Sequence, residues 1–192
     1  MALGRPEKFD KDKLLDRAVD LIWREGPFAM SLNEIAAALD TTKPALARRF
    51  GGKEDFLIAV LKRYHERVDT PVQQAIAEAN SVDDVAKAYI ESYVAGLSEK
   101  SVGPATGCLL AATTDACASH PDTPLSANTR ALNAKTRAGL VAALKRTGAR
   151  QPGKVAQYLY GQSVALAFLS RNGASTKELN EFAARALAWD KT

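Results

Sequence analysis

SLNEIAAALDTTKPALARRFGGK, residues 31–53, is the stretch whose reading decides the fold. Ser31 followed by Glu34 is a capping box, each side chain satisfying an orphan backbone N–H of the other, so a helix is expected to start there. Leu32, Ile35 and Leu39 fall on one stripe of that helix. Asp40 sits where the chain must turn, and Asp tolerates the left-handed backbone conformation better than most residues with a side chain. Thr42 can cap a second helix, and Pro44 falls in its first turn, where a missing N–H removes no intrahelical bond. From Thr41 to Lys53 the charged residues are Lys43, Arg48, Arg49 and Lys53, with no acid among them. A helix-turn-helix with a cationic second helix has the form of an element that enters a DNA groove. Its bland alternative is a helical hairpin with a solvated basic face.

Composition neither adds to this reading nor removes it. The 192 residues allow one large or two small domains, and 46% hydrophobic with 25% charged is a soluble, globular balance. No run approaches the length of a membrane span, and the opening MALGRPEKFDKDK lacks the apolar stretch of a signal peptide. A cytoplasmic protein with no membrane partner is expected. The net charge of +4 divides evenly, with 13 Lys/Arg against 11 Asp/Glu in residues 1–67 and the same in 68–192. Only the local acid-free window therefore argues for nucleic acid.

Outward from the opening stretch, every signal is helical. Asp10 or Asp12 opens a first helix with Leu14, Leu15, Ala18, Leu21 and Ile22 in period before Gly26 stops it. Gly51-Gly52 breaks the chain, and a fourth helix begins near Lys53 with the stripe Phe56, Leu57, Val60, Leu61, Tyr64 and Val68. Asp69-Thr70-Pro71 reads as a change of direction, dividing a head at 1–68 (linking helix 53–68) from a second domain at 69–192. Ser81 and Asp84 cap a helix through Tyr89, Tyr93 and Leu97, and residues 99–107, with Gly103 and Pro104, read as loop. Helices are expected at about 107–118 and from Pro124 to Thr147, the latter burying Leu125, Leu132, Leu140 and Leu144. Residues 153–170 are apolar nearly all round, with Gly161 allowing close approach. Ser175 with Glu178 opens a last helix carrying Leu179, Phe182, Ala183, Ala186, Leu187 and Trp189. A helix apolar on every side must be covered on every side, and a second copy of the chain is the ready cover. The fold class is all-α, about nine helices: a three-helix head and a C-terminal bundle dimerising through its last two helices.

Residues 10–68 resemble the TetR-type (tetracycline-repressor-like) family of bacterial transcriptional regulators. The resemblance rests on Gly26 ending the first helix, the Ile35-Ala36 pair, the Thr42 cap, Phe50 and Lys53-Glu54, matched without a gap. A GCLLA segment at 107–111 is similar to one in some members. The resemblance implies a homodimeric repressor that binds palindromic operator DNA and releases it when a small molecule enters the C-terminal domain. By carry-over Thr42 caps the recognition helix and donates to a phosphate, Lys43, Ala45 and Arg48 face the groove, and Lys53 holds the backbone. The candidate DNA-contacting set is Ser31, Thr41, Thr42, Lys43, Pro44, Ala45, Arg48, Arg49 and Lys53. Three positions depart from the family pattern: Asp40 and Pro44 stand where Gly is common, and Ala47 replaces an aromatic that often contacts the backbone. Arg49 is a candidate to compensate for that loss.

No catalytic constellation, metal site or cofactor motif emerges. His65 is placed on the polar side of the fourth helix and His120 in a proline-flanked loop, neither near a nucleophile motif. Cys117, His120, Asp115 and Asp122 do not complete a zinc spacing. Cys108 and Cys117, nine apart on what reads as one helix, are turned about 900° from each other, which excludes a disulfide within that helix. Candidate effector-pocket residues are Tyr89, Tyr93, Cys108, Leu109, Tyr158 and Phe168. Candidate dimer-interface residues are Tyr160, Gly161, Val164, Phe168, Phe182 and Leu187. The rival reading is a helical interaction or ligand-binding protein whose head no longer binds DNA.

Overall fold

The computed structural model describes residues 11–98 and 107–188, and every regular element among them is a helix. In chain order these are α1 (Lys11–Glu25), α2 (Leu32–Ala38), α3 (Lys43–Phe50), α4 (Lys53–Glu78), α5 (Val82–Ser98), α6 (Leu109–Ala116), α7 (Pro124–Arg146), α8 (Pro152–Arg171) and α9 (Thr176–Leu187). Asp10, the 99–106 part of the expected loop and Trp189 lie outside the described residues.

The local signals act as their chemistry dictates. The Ser31 backbone N–H donates to Glu34 at 2.7 Å and the Glu34 N–H donates to the Ser31 hydroxyl at 3.3 Å, closing the capping box of α2. That bond from the Ser31 backbone holds the Glu34 carboxyl below its usual range. Ser175 and Glu178 repeat the device at α9. Gly26, at φ 101°, stops α1 in a conformation that only glycine adopts without strain.

Two apolar clusters divide the molecule, and α4 runs through both. The first joins α1, α2, α3 and the front of α4 to Leu109, Leu110, Cys117 and Leu125. Ring edges lock it, with Trp23 on Tyr64 at 5.0 Å and Phe50 on Phe56 at 5.4 Å. The second joins Val72 and Ile76 of α4 to α5, the end of α7, α8 and α9.

Three expectations are corrected here. No turn occurs at residues 69–71: α4 continues to Glu78 with Pro71 inside it. An interior proline costs about 3 kcal/mol, but Val72 and Ile76 are buried beyond it, and two such side chains contribute about 3–6 kcal/mol. Asp69 is itself buried, accepting the Thr136 hydroxyl at 2.8 Å and the Gln73 amide at 3.3 Å. His65 is buried rather than on a polar side, its Nε2 3.1 Å from Thr136 Oγ1 and 3.6 Å from Asp69 Oδ2. Burial lowers its pKa, which the Asp69 charge opposes. Finally, α6 is too short to hold both cysteines: Cys108 caps its start, Cys117 its end, and both are free thiols.

Candidate nucleic-acid interface

α3 is held to the first cluster by Leu46 and by Phe50 at its end. Leu46 is its single fully buried residue, seated in the first cluster, while Thr42, Lys43, Pro44, Ala47, Arg48 and Arg49 are exposed. Thr41, Ala45 and Lys53 are partly buried. The Thr42 hydroxyl accepts the Ala45 N–H at 3.3 Å, and Ser31 plays the same part for α2. Each hydroxyl keeps its own proton to donate, and both stand beside helix N-termini, where anions are favoured. Lys43 and Arg48 form no ion pair among the described residues. The α2–α3 turn is fixed by Asp40, at φ 53°, whose carboxylate accepts Arg17 of α1 at 2.6 Å. Asp16 and Asp20 of α1 hold Arg63 and Arg67 of α4 at 2.7–2.8 Å, so α1, which holds the turn through Arg17, is itself tied to the long α4. The Arg63 hydrogen bonds keep the Asp16 carboxyl below the usual carboxylate range.

This head matches known proteins. Residues 14–60 fit the family described as "Bacterial regulatory proteins, tetR family". The family match covers this head and not the rest of the chain. The chain is 34% identical over 108 residues to the HTH-type transcriptional repressor ComR of Escherichia coli (strain K12), a match spanning 56% of this chain and 50% of that repressor. Its fold is similar to that of SCO4454, a TetR-family regulator from Streptomyces coelicolor, with a TM-score of 0.79, 19% identity and coverage of 91% and 90% of the two chains. A cysteine-substituted form of the TetR-family regulator CifR, solved with a 26-bp double-strand operator DNA, aligns at a TM-score of 0.78 and 23% identity, covering 97% and 100%.

The three departures from the TetR-family pattern have visible consequences. Asp40 takes the left-handed conformation that glycine would take and adds the bond to Arg17. Pro44 sits in the first turn of α3. Ala47 is exposed, so the side of α3 where an aromatic is common carries only a methyl group.

The candidate effector residues are scattered by the fold. Tyr89 is fully buried, hydrogen-bonded to Ser163 at 3.2 Å, with burial pushing its phenol up to about 12. Tyr93 and Cys108 line two cavities of about 30 Å³ each, and Leu109 is buried in the first cluster. The Tyr158 hydroxyl donates to the Ala186 carbonyl at 2.9 Å, and Phe168 points outward, 68% exposed. A cleft of about 420 Å³ opens elsewhere, lined by Phe28, Lys53, Glu54, Leu57, Ala116, Cys117, His120, Thr123 and Leu125. Sequence reasoning missed it; the signal was Phe28, an aromatic in the Gly-Pro connection that belongs to no helical stripe.

Of the candidate interface residues, Gly161, Val164 and Phe168 line one open face of α8, with Val164 41% exposed. Tyr160 is partly buried beneath the Arg137 guanidinium at 5.3 Å, and Phe182 and Leu187 pack against the second cluster. The expectation of a helix covered on every side is thus met on all but this face within one chain.

Proposed function

We propose that the chain is a sequence-specific DNA-binding transcriptional regulator that works as a homodimer in the cytoplasm, reads a palindromic operator and is released from it by a small molecule. The observation that carries this reading is α3: a capped helix anchored by Leu46, whose exposed surface offers Lys43 and Arg48 with no acid among its residues. Arg48 is suited to bidentate bonding with guanine, Lys43 and Lys53 to the phosphate backbone, and Thr41, Thr42, Ser31, Pro44, Ala45 and Arg49 to closing the contact. The open stripe Gly161, Val164, Phe168 supports pairing of α8 with its copy, with α9 alongside. Pairing sets two heads on half-sites about 34–36 Å apart, one turn of DNA. Release requires an effector that prefers the arrangement in which the heads no longer fit. No helix among the described residues is long and apolar enough to cross a membrane.

The test is selection of the purified protein on a random duplex pool at two salt concentrations. An enriched inverted repeat, bound more weakly at the higher salt, is the expected result. A folded dimer that enriches nothing belongs instead to the class of helical ligand-binding proteins with a silent head. Arg49→Ala should weaken binding to the enriched repeat, since Ala47 leaves that side of α3 without an aromatic; unchanged affinity removes Arg49 from the contact.

A further inference from the structure

The 420 Å³ cleft lies where head meets body. The α1–α2 connection contributes Phe28, the first turn of α4 contributes Lys53 and Glu54, and the α6–α7 connection closes the far side with Cys117, His120 and Thr123. Its volume falls in the ordinary range of small-molecule sites, about 300–1,000 Å³, whereas the cavities beside Tyr93 have room for about one water each. The floor is apolar, formed by Leu57 and Leu125, and Phe28 stands over it with 51% of its surface open.

Charge decides what the cleft would hold. Glu54 is the single carboxylate of the lining, and it accepts the Leu125 N–H at 3.0 Å, so it caps the N-terminus of α7 across the interface. A carboxylate and a helix N-terminus offset one another. That leaves the Lys53 ammonium, held 5.8 Å from the Phe28 ring centroid, in no ion pair among the described residues. Glu34, the acid whose titration feels Lys53, is already bound to the Ser31 backbone N–H. One cation beside an aromatic face, over an apolar floor, suits a compact organic anion: an acidic group on Lys53 and a flat apolar body between Phe28 and Leu125.

We propose that this cleft binds an amphipathic organic anion, a carboxylate or sulfonate on an aromatic or aliphatic body, through Lys53. The consequence rests on the regulator reading above. Lys53 is the residue assigned there to the DNA backbone, and one ammonium cannot neutralise a ligand and a phosphate at once. A ligand here also sits between the α1–α2 connection and the α6–α7 connection, where the head packs on the body. Ligand and operator therefore exclude each other, which is the differential affinity that release requires.

The probe is 1-anilinonaphthalene-8-sulfonate, an aromatic anion that fluoresces in apolar sites, compared with the neutral N-phenyl-1-naphthylamine. Both are titrated into the full-length chain without DNA, so the result does not depend on whether the head binds an operator. Saturable binding of the anion is expected. Lys53→Met should weaken it about tenfold, the loss of one charge-assisted contact, while the neutral probe is little affected. Ala116→Phe, which fills the cleft, should remove both probes, and Lys53→Met keeps the test alive should that variant not fold. Absence of saturable binding, or binding of the anion that survives both substitutions, overturns the site. In a second arm, saturating anion should weaken binding to the inverted repeat from the selection. Unmoved affinity there overturns the effector role, while the selection itself has already decided the regulator reading.

Discussion

α3 and α8 each leave a face open, and the two faces have opposite chemistry. α3 has eight residues and one buried side chain, and its open face carries Lys43, Arg48 and Arg49. α8 has twenty residues and seven buried ones, and its open face carries Val164 and Phe168. A cationic face is stable in water and waits for an anionic partner. An apolar face is not, and each of its large side chains gains about 1.5–3 kcal/mol when covered. On the proposed reading the difference separates two roles in one chain: α3 meets operator DNA, and α8 meets a second copy.

The largest effect should come from breaking the α8 side. Val164→Asp with Phe168→Asp places four charges in a twofold interface, and sedimentation should show a monomer whose unfolding temperature is little changed, since the face is open within one chain. Binding to a two-half-site duplex should fall by about two orders of magnitude as the heads lose their linkage. A dimer that persists moves the interface elsewhere. On the α3 side, Leu46→Ala should destabilise the head by about 2–5 kcal/mol by denaturant titration while leaving the dimer intact. Arg48→Ala should weaken the preferred duplex by about 1–3 kcal/mol and relax its sequence preference, whereas Lys43→Ala should weaken all sequences alike and make the salt slope shallower by about 1.

The smallest effect lies between the two faces, where α4 meets α7. Burial lowers the pKa of His65, against the pull of Asp69, so the unfolded chain takes up this proton before the folded one. Stability from this group is complete above the unfolded value of about 6.5 and is lost as pH falls through the lower folded value, with a slope of at most about 1.4 kcal/mol per pH unit. His65→Gln should flatten that part of the pH–stability curve; an unchanged curve assigns the acid sensitivity to other groups.

The same contrast explains what the sequence made legible. Around α3 the signals are local: Ser31 with Glu34, Asp40, Thr42 and Pro44 each act within a few residues of themselves, and each behaves in the structure as its chemistry suggests. Along α4 and α8 the deciding partners are remote. Pro71 reads as a breaker, and only Val72 and Ile76 meeting the α5–α9 cluster carries the helix past it. His65 reads as polar surface until Thr136, 71 residues away, supplies its hydrogen bond. Phe168 reads both as effector-pocket lining and as dimer interface, and no count along one chain shows which stripe of α8 remains uncovered. Of the junction cleft the sequence offers only the stray aromatic Phe28, since Phe28, Lys53 and Leu125 come together only in the fold.

In the proposed regulator both faces act together, two chains joined through α8 placing two α3 helices on one duplex. The most direct measurement is the stoichiometry of the complex with the enriched duplex by analytical ultracentrifugation, for the wild type and for the Val164→Asp, Phe168→Asp variant. Two chains per duplex for the wild type, with the variant bound weakly and one chain at a time, is the expected result. One wild-type chain per duplex, or a variant that binds as tightly as its parent, would contradict it.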